Sequence, residues 1–216
     1  FLLQETLPVK ERTQSSTIQT ILGLRKVAKN PNFSSLLLVG ALIAAPFMAY
    51  LALASYIYID GFGVSETTFS MYFALNAGAS ILGPVMYMRF GAGSVKKVIS
   101  AGIIVAIISA ILILTIGNAS PIIFLLSYVL YSIMTSYFRP LISDLLLSAT
   151  KTDVGATSSV MNFGFTVIGS IGMVVGSLQW SSYTGGLGIT MLIFIALTMI
   201  VWLYLLKAKS IRFDWK

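Results

Sequence analysis

The chain has 216 residues, 57% hydrophobic and only 10% charged, with a mean hydropathy of +0.91. That is more apolar surface than a water-soluble fold of this size can hide. The lack of cysteine and histidine removes disulfides, structural zinc, thiol nucleophiles and the commonest general base, while the net charge of +7 borders apolar segments and is explained by membrane topology rather than by a nucleic-acid partner.

The chain opens on Phe1-Leu2-Leu3 with neither an initiator methionine nor a basic n-region. It is therefore not a signal peptide, and it reads as a fragment starting at the end of an earlier hydrophobic segment. Residues 1–30 are polar and read as a cytoplasmic linker. Within them Ile18, Ile21, Leu22, Arg25 and Lys29 follow helical spacing, which fits either a helix lying on lipid headgroups or a solvated linker. A spanning helix needs roughly 20 mostly apolar residues. Six segments qualify: Phe33 to Tyr58, Thr68 to Phe90, Val95 to Ile116, Pro121 to Leu147, Gly155 to Leu178, and Gly186 to Lys207. They are too long and too continuously apolar for barrel strands. Residues 31–209 are thus expected to form an all-α, six-helix transmembrane domain, with residues 210–216 as a cytoplasmic tail.

The connections Asp60 to Thr67, Gly117 to Ser120 and Gln179 to Gly185 carry no Lys or Arg. The alternate ones are basic. Lys10, Arg12, Arg25, Lys26 and Lys29 precede the first span; Arg89, Lys96 and Lys97 lie between the second and third. Lys151 follows the fourth span, and Lys207, Lys209, Arg212 and Lys216 lie at or beyond the end of the sixth. Cations collect on the cytoplasmic side of a membrane protein, so both ends of the chain are expected there.

Within the first span Tyr50 and Ser55 flank an expected kink at Pro46. The second holds Asn76 and Ser80 one turn apart, and Gly78, Gly83 and Pro84, the last expected to kink it. In the fourth, Tyr128, Tyr131, Thr135 and Arg139 share one helical face beside Ser132. Such a stripe is costly against lipid and is expected to face protein or a water-filled cavity; alternatively Arg139 reaches for inner headgroups. Pro140 is expected to loosen the helix there. The fifth span offers Asn162 and Phe163, and Gly164, Gly169, Gly172 and Gly176 on a face suited to close helix packing. Glu5, Glu11, Asp153 and Asp214 flank the spans on the basic side, and Asp60 and Glu66 lie on the other. Asp144 lies about 140° around the helix from Arg139 and is no obvious partner for it. No acid sits mid-membrane, where a proton relay needs an ionisable group. A titrating carboxylate is therefore expected outside this chain.

Several stretches carry a resemblance that covers nearly the whole chain. Glu5-Thr6-Leu7-Pro8 with Arg12, Asn30-Pro31-Asn32-Phe33, Tyr72-Phe73-Ala74-Leu75-Asn76, Arg89-Phe90-Gly91 and Gly155-Ala156-Thr157-Ser158-Ser159 occur in that order. Together they resemble the carboxy-terminal half of a major facilitator superfamily transporter, most closely its bicyclomycin-resistance/CflA branch of drug:proton antiporters. Two positions depart from the pattern. The acid that usually precedes the loop Arg is replaced by Met88, which leaves the gating ion pair associated with that motif without its acid. Arg139 stands where the family has no fixed basic residue.

The resemblance implies two inverted three-helix repeats forming helices seven to twelve of twelve. It implies that the first and fourth spans line a substrate cavity, the second and fifth meet a missing amino-terminal half, and the third and sixth face lipid. Cavity candidates are Tyr50, Ser55, Asn76, Tyr128, Tyr131, Thr135, Arg139, Asn162 and Phe163. Candidates for inter-half packing and gating are Gly78, Gly83, Pro84, Arg89, Gly91, Gly169, Gly172 and Gly176. The expected function is export of drugs or other small amphipathic molecules by alternating access from the plasma (inner) membrane. No cofactor is implied, only a proton gradient. The alternative is a non-transporting six-span scaffold or assembly protein. An enzyme is not expected, because the spans hold no paired acids and no Ser/Lys or metal-ligand constellation.

Overall fold

The structure, a computed structural model, describes residues 17–91, 93–149 and 154–208. The Glu5–Pro8 stretch, Lys10, Glu11, Arg12, Lys151, Asp153, Lys209 and the tail 210–216 lie outside the described residues. Among the described residues every regular element is helical: α1 (Thr17–Ala28), α2 (Pro31–Ser55) continued by a π-helical turn (Tyr56–Gly61), α3 (Glu66–Ser80), α4 (Leu82–Phe90), α5 (Val95–Ile116), α6 (Pro121–Ala149), α7 (Val154–Gly176) and α8 (Tyr183–Ala208). They make six helices long and apolar enough to cross a membrane, with α3 and α4 forming the second. The fold is all-α and consistent with half of a major facilitator fold. Span limits differ from the sequence expectation by a few residues at most.

Local chemistry sets the ends. Asn30 caps α2, its side-chain oxygen accepting from the N–H groups of Asn32 (3.1 Å) and Phe33 (3.4 Å), and Pro31 occupies the first turn, where a missing N–H costs nothing. Ser65 caps α3 through Thr68 N–H at 3.2 Å, and Ser120 caps α6 through Ile123 N–H at 3.3 Å. The α4 helix stops at Gly91, whose φ of 65° favours glycine. The second span breaks at Ile81 as its proline demands: Pro84 cannot donate to the carbonyl of Ser80 and crowds it. The other two prolines act differently. Pro46 and Pro140 sit inside α2 and α6, which continue through them as helix.

The most extensive span pairings follow a regular pattern. The first packs on the fourth, fifth and sixth, the fourth on the first, second and third, and the third on the sixth. Exchanging the first three spans for the last three leaves this set unchanged. Three spans carry the chain from one end to the other, so the second set runs in the opposite sense. The packing therefore has the form of two inverted repeats. The first and fourth spans form the centre, 61% and 50% buried along their most apolar stretches, against 11% and 17% for the second and fifth. Among the exposed residues between Ala101 and Leu114 of α5, and between Ile189 and Tyr204 of α8, every one is apolar, Ala or Tyr.

Two backbone crossings repeat this relation. At Gly83 of α4 an added Cβ would lie 2.5 Å from the Ile133 carbonyl oxygen and 2.5 Å from the Tyr137 nitrogen of α6. At Gly172 of α7 it would lie 2.5 Å from the Ala45 carbonyl oxygen of α2. Gly169 and Gly176 likewise face Met48 and Ala49 of α2, and Gly164 faces Leu37. Gly83, Gly169, Gly172 and Gly176 were expected against a missing half; the structure instead packs them within this chain. Backbone approach of this kind needs small residues.

Hydroxyls and an indole tie the outer helices to the centre and to each other. Ser109 of α5 donates to the Ser127 carbonyl of α6 (2.6 Å), Trp202 Nε1 of α8 donates to Ser100 Oγ of α5 (3.1 Å), and Thr184 bonds the Asn118 side chain.

Candidate functional site

A cavity of about 230 Å³ lies between α2, α6 and α7. Its α2 wall includes Phe47 and Met48, next to Pro46, and Gly40, against which the Ile142 side chain packs. From α6 come Thr135, Phe138 and Arg139, and from α7 come Asn162, Phe165 and Thr166. Asn162, Thr166 and Arg139 are all exposed, so the cavity opens across α7 and its polar side is on that rim. The Arg139 guanidinium has neither a hydrogen bond nor an ion pair among the described residues; only the backbone carbonyl of this residue is engaged, accepting from Ser143 Oγ at 2.8 Å. Asp144, its nearest acid in sequence, accepts from Tyr87 Oη of α4. The cavity therefore pairs apolar walls with a few polar groups and one uncompensated cation, the composition of a small-molecule site.

Toward the end that carries Asp60 and Glu66 the cavity gives way to packed rings. Tyr50 of α2 stacks on Tyr128 of α6 with centroids 4.0 Å apart and lies 6.1 Å from Phe73 of α3. Tyr58, in the π-helical turn, stacks on Tyr72 at 5.1 Å and meets Phe124 edge-on at 5.4 Å. Phe69 and Phe124 lie in the first turns of α3 and α6, so the ring layer closes the bundle at that end. The hydroxyls of Tyr50, Tyr58 and Tyr128 and Oδ1 of Asn76 are buried in this layer without a hydrogen-bond partner. Tyr131 links the layer to the cavity: it is fully buried and its hydroxyl donates to the carbonyl of Ile43, a wall residue. Ser80 and Ser132 share a hydrogen bond of 2.7 Å between α3 and α6.

The cavity candidates thus separate into groups. Thr135, Arg139 and Asn162 line it and Tyr131 adjoins it. Tyr50, Asn76 and Tyr128 are buried in the ring layer. Ser55 is half-buried away from the cavity, and Phe163, 71% exposed, points off its wall. Sequence reasoning missed Phe47, Met48, Phe138 and Phe165, which read as ordinary apolar span residues. Thr166 was legible, one turn beyond Asn162. Of the gating candidates, Gly78 is exposed with open space around its Cα, Pro84 is half-buried, and Arg89 is exposed. The Gly91 carbonyl accepts from Tyr137 Oη at 2.7 Å. With the Tyr87–Asp144 bond, this pins the end of α4 to α6 where the superfamily loop motif would place an ion pair.

No protein-family model matches the chain. Over 115 residues it is 31% identical to an uncharacterized MFS-type transporter, YdgK, of Bacillus subtilis (strain 168); the matched stretch is 52% of this chain and 28% of that protein. The matched stretch thus covers well under half the length of that protein. The similarity and the six spans support a multi-pass membrane protein of the major facilitator type.

Proposed function

We propose that this chain is one half of a secondary transporter that moves small amphipathic molecules by alternating access. The observation that carries the reading is the cavity between α2, α6 and α7, with polar groups and a lone Arg139 on apolar walls, closed at one end by stacked rings. A carrier needs a central site reached from one face at a time. Here the rings of Tyr50, Tyr58, Phe124 and Tyr128 block the Asp60 and Glu66 end, and the opening lies across α7. A scaffold needs no such cavity, and an unpaired cation within one serves it no purpose.

The finer reading is a drug:proton antiporter of the plasma (inner) membrane, with both ends of this chain cytoplasmic. The described carboxylates are Asp60, Glu66 and Asp144, none on a cavity wall, so the proton acceptor belongs to the partnering amino-terminal half. The exposed faces of the second and fifth spans are the surface that half would cover. The test is reconstitution of the full-length protein in proteoliposomes under a proton gradient. Compound-dependent proton flux is expected; a panel of amphipathic compounds that moves no protons and is not itself moved would overturn the proposal.

A further inference from the structure

Among the described residues Arg139 is the one cationic side chain on the cavity wall. At 1.5 Å per residue it precedes the end of α6 at Ala149 by about 15 Å. A helix running Pro121–Ala149 is about 43 Å long and overshoots a hydrocarbon core of roughly 30 Å by about 7 Å at each end. The Cα of Arg139 then lies about 8 Å inside the hydrocarbon boundary. Helical side chains lean toward the helix N-terminus, which for α6 is the ring-layer end. That direction leads into the bundle rather than toward the nearer headgroups. A guanidinium at this depth requires a counter-anion or water. The described residues supply no carboxylate to it, since Asp144 is engaged by Tyr87.

The surroundings define what would complete it. Phe47, Phe138 and Phe165 offer apolar, aromatic surface, and Asn162, Thr135 and Thr166 offer uncharged hydrogen-bonding groups. A dry cavity of about 150 Å³ accommodates benzene. The cavity here, about 230 Å³, has room for a substituted or fused aromatic ring. Arginine binds carboxylate, sulfonate and phosphate through a planar two-pronged contact. We propose that this site takes organic anions: an aromatic body against the three phenylalanines, with its acidic group paired to Arg139. This assignment rests on the reading of the cavity as a carrier's ligand site and names its substrate class.

The test is equilibrium dialysis of the purified full-length protein against naphthoate, naphthamide and naphthylmethylammonium, which share a ring system and differ in charge. Naphthoate is expected to bind most tightly. Arg139→Gln is expected to weaken naphthoate at least tenfold while leaving naphthamide binding and the melting profile unchanged, and Arg139→Lys is expected to weaken it less. No measurable naphthoate binding, equal binding of naphthoate and naphthamide, or naphthoate binding indifferent to Arg139→Gln would each overturn the assignment. Repeating the titration in phospholipid nanodiscs and in lipid-free detergent separates the two sources of an anion. Naphthoate that binds only without phospholipid would show that a headgroup phosphate occupies Arg139, and would overturn the small-molecule assignment. Proteoliposome flux distinguishes this failure from failure of the carrier reading. Arg139-dependent naphthoate binding without flux would sink the carrier reading alone. Flux of the ammonium compound without naphthoate binding would sink this one alone.

Discussion

The Gly83 crossing permits a quantitative prediction for Gly83→Ala. The new Cβ would stand 2.5 Å from the Ile133 oxygen, 2.5 Å from the Tyr137 nitrogen and 2.8 Å from the Ser136 carbonyl carbon. All three are backbone atoms, so no rotamer change relieves the clash. Comfortable separation is about 3.5 Å, so α4 and α6 must part by up to about 1 Å. A gap of that size forfeits a quarter to a half of the dispersion energy at each contact it opens, and overpacking typically costs about 1–3 kcal/mol. Alanine recovers about 1 kcal/mol of helix propensity over glycine. The net expectation is a loss of up to about 2 kcal/mol. Parting the helices also stretches the nearby 2.7 Å Ser80–Ser132 bond. The control is Gly78→Ala in the same span, where nothing lies within 4 Å and only the propensity gain applies. The assay is unfolding of the full-length protein by titration of SDS into mixed micelles, followed by tryptophan fluorescence. If Gly83→Ala proves as stable as Gly78→Ala, the close crossing does not exist and the repeat-related packing of Gly83 and Gly172 falls with it.

Tyrosines in the ring layer should respond according to their hydrogen bonds. Tyr131→Phe loses the bond to the Ile43 carbonyl and is expected to cost about 0.6–1.7 kcal/mol, the range for polar contacts in a membrane bundle. Tyr128→Phe removes a buried hydroxyl with no partner and is expected to leave stability unchanged or slightly raised; the same SDS titration checks both, and equal losses would refute the distinction. Single cysteines replacing Lys96 and Lys207 in this cysteine-free chain are expected to react from the same side with a membrane-impermeant maleimide in intact cells and inverted vesicles. Labelling from opposite sides would refute the threading.

How much was legible beforehand varied with the kind of interaction. Apolar run length located the spans because hydrocarbon thickness demands about 20 residues whatever the partners are. The caps Asn30, Ser65 and Ser120 emerged only with the structure, although caps act within a few residues of chain. The burial of Tyr128, Tyr131, Ser132 and Thr135 followed from one helical face. The split of that face, with Tyr128 stacked against Tyr50 and Thr135 opening on a cavity, did not follow. It depends on where α2 and α7 lie, and helical periodicity names a face without naming the neighbour across it. The glycines of α7 show the same limit. Their spacing announced close packing, but whether α2 or a separate half fills the groove is settled only when the helices assemble.

Residue order alone therefore determined six apolar helices, their approximate limits and the sorting of cations, because these depend on local chemistry and on the bilayer. Tertiary structure alone decided that two sets of three helices pack with exchange symmetry, that Pro46 and Pro140 are carried within continuous helices, and that Phe47, Phe138 and Phe165 meet around an unpaired Arg139. Those contacts join residues far apart along the chain. In a membrane their energies come from close packing and hydrogen bonding between helix surfaces rather than from any property of a single helix.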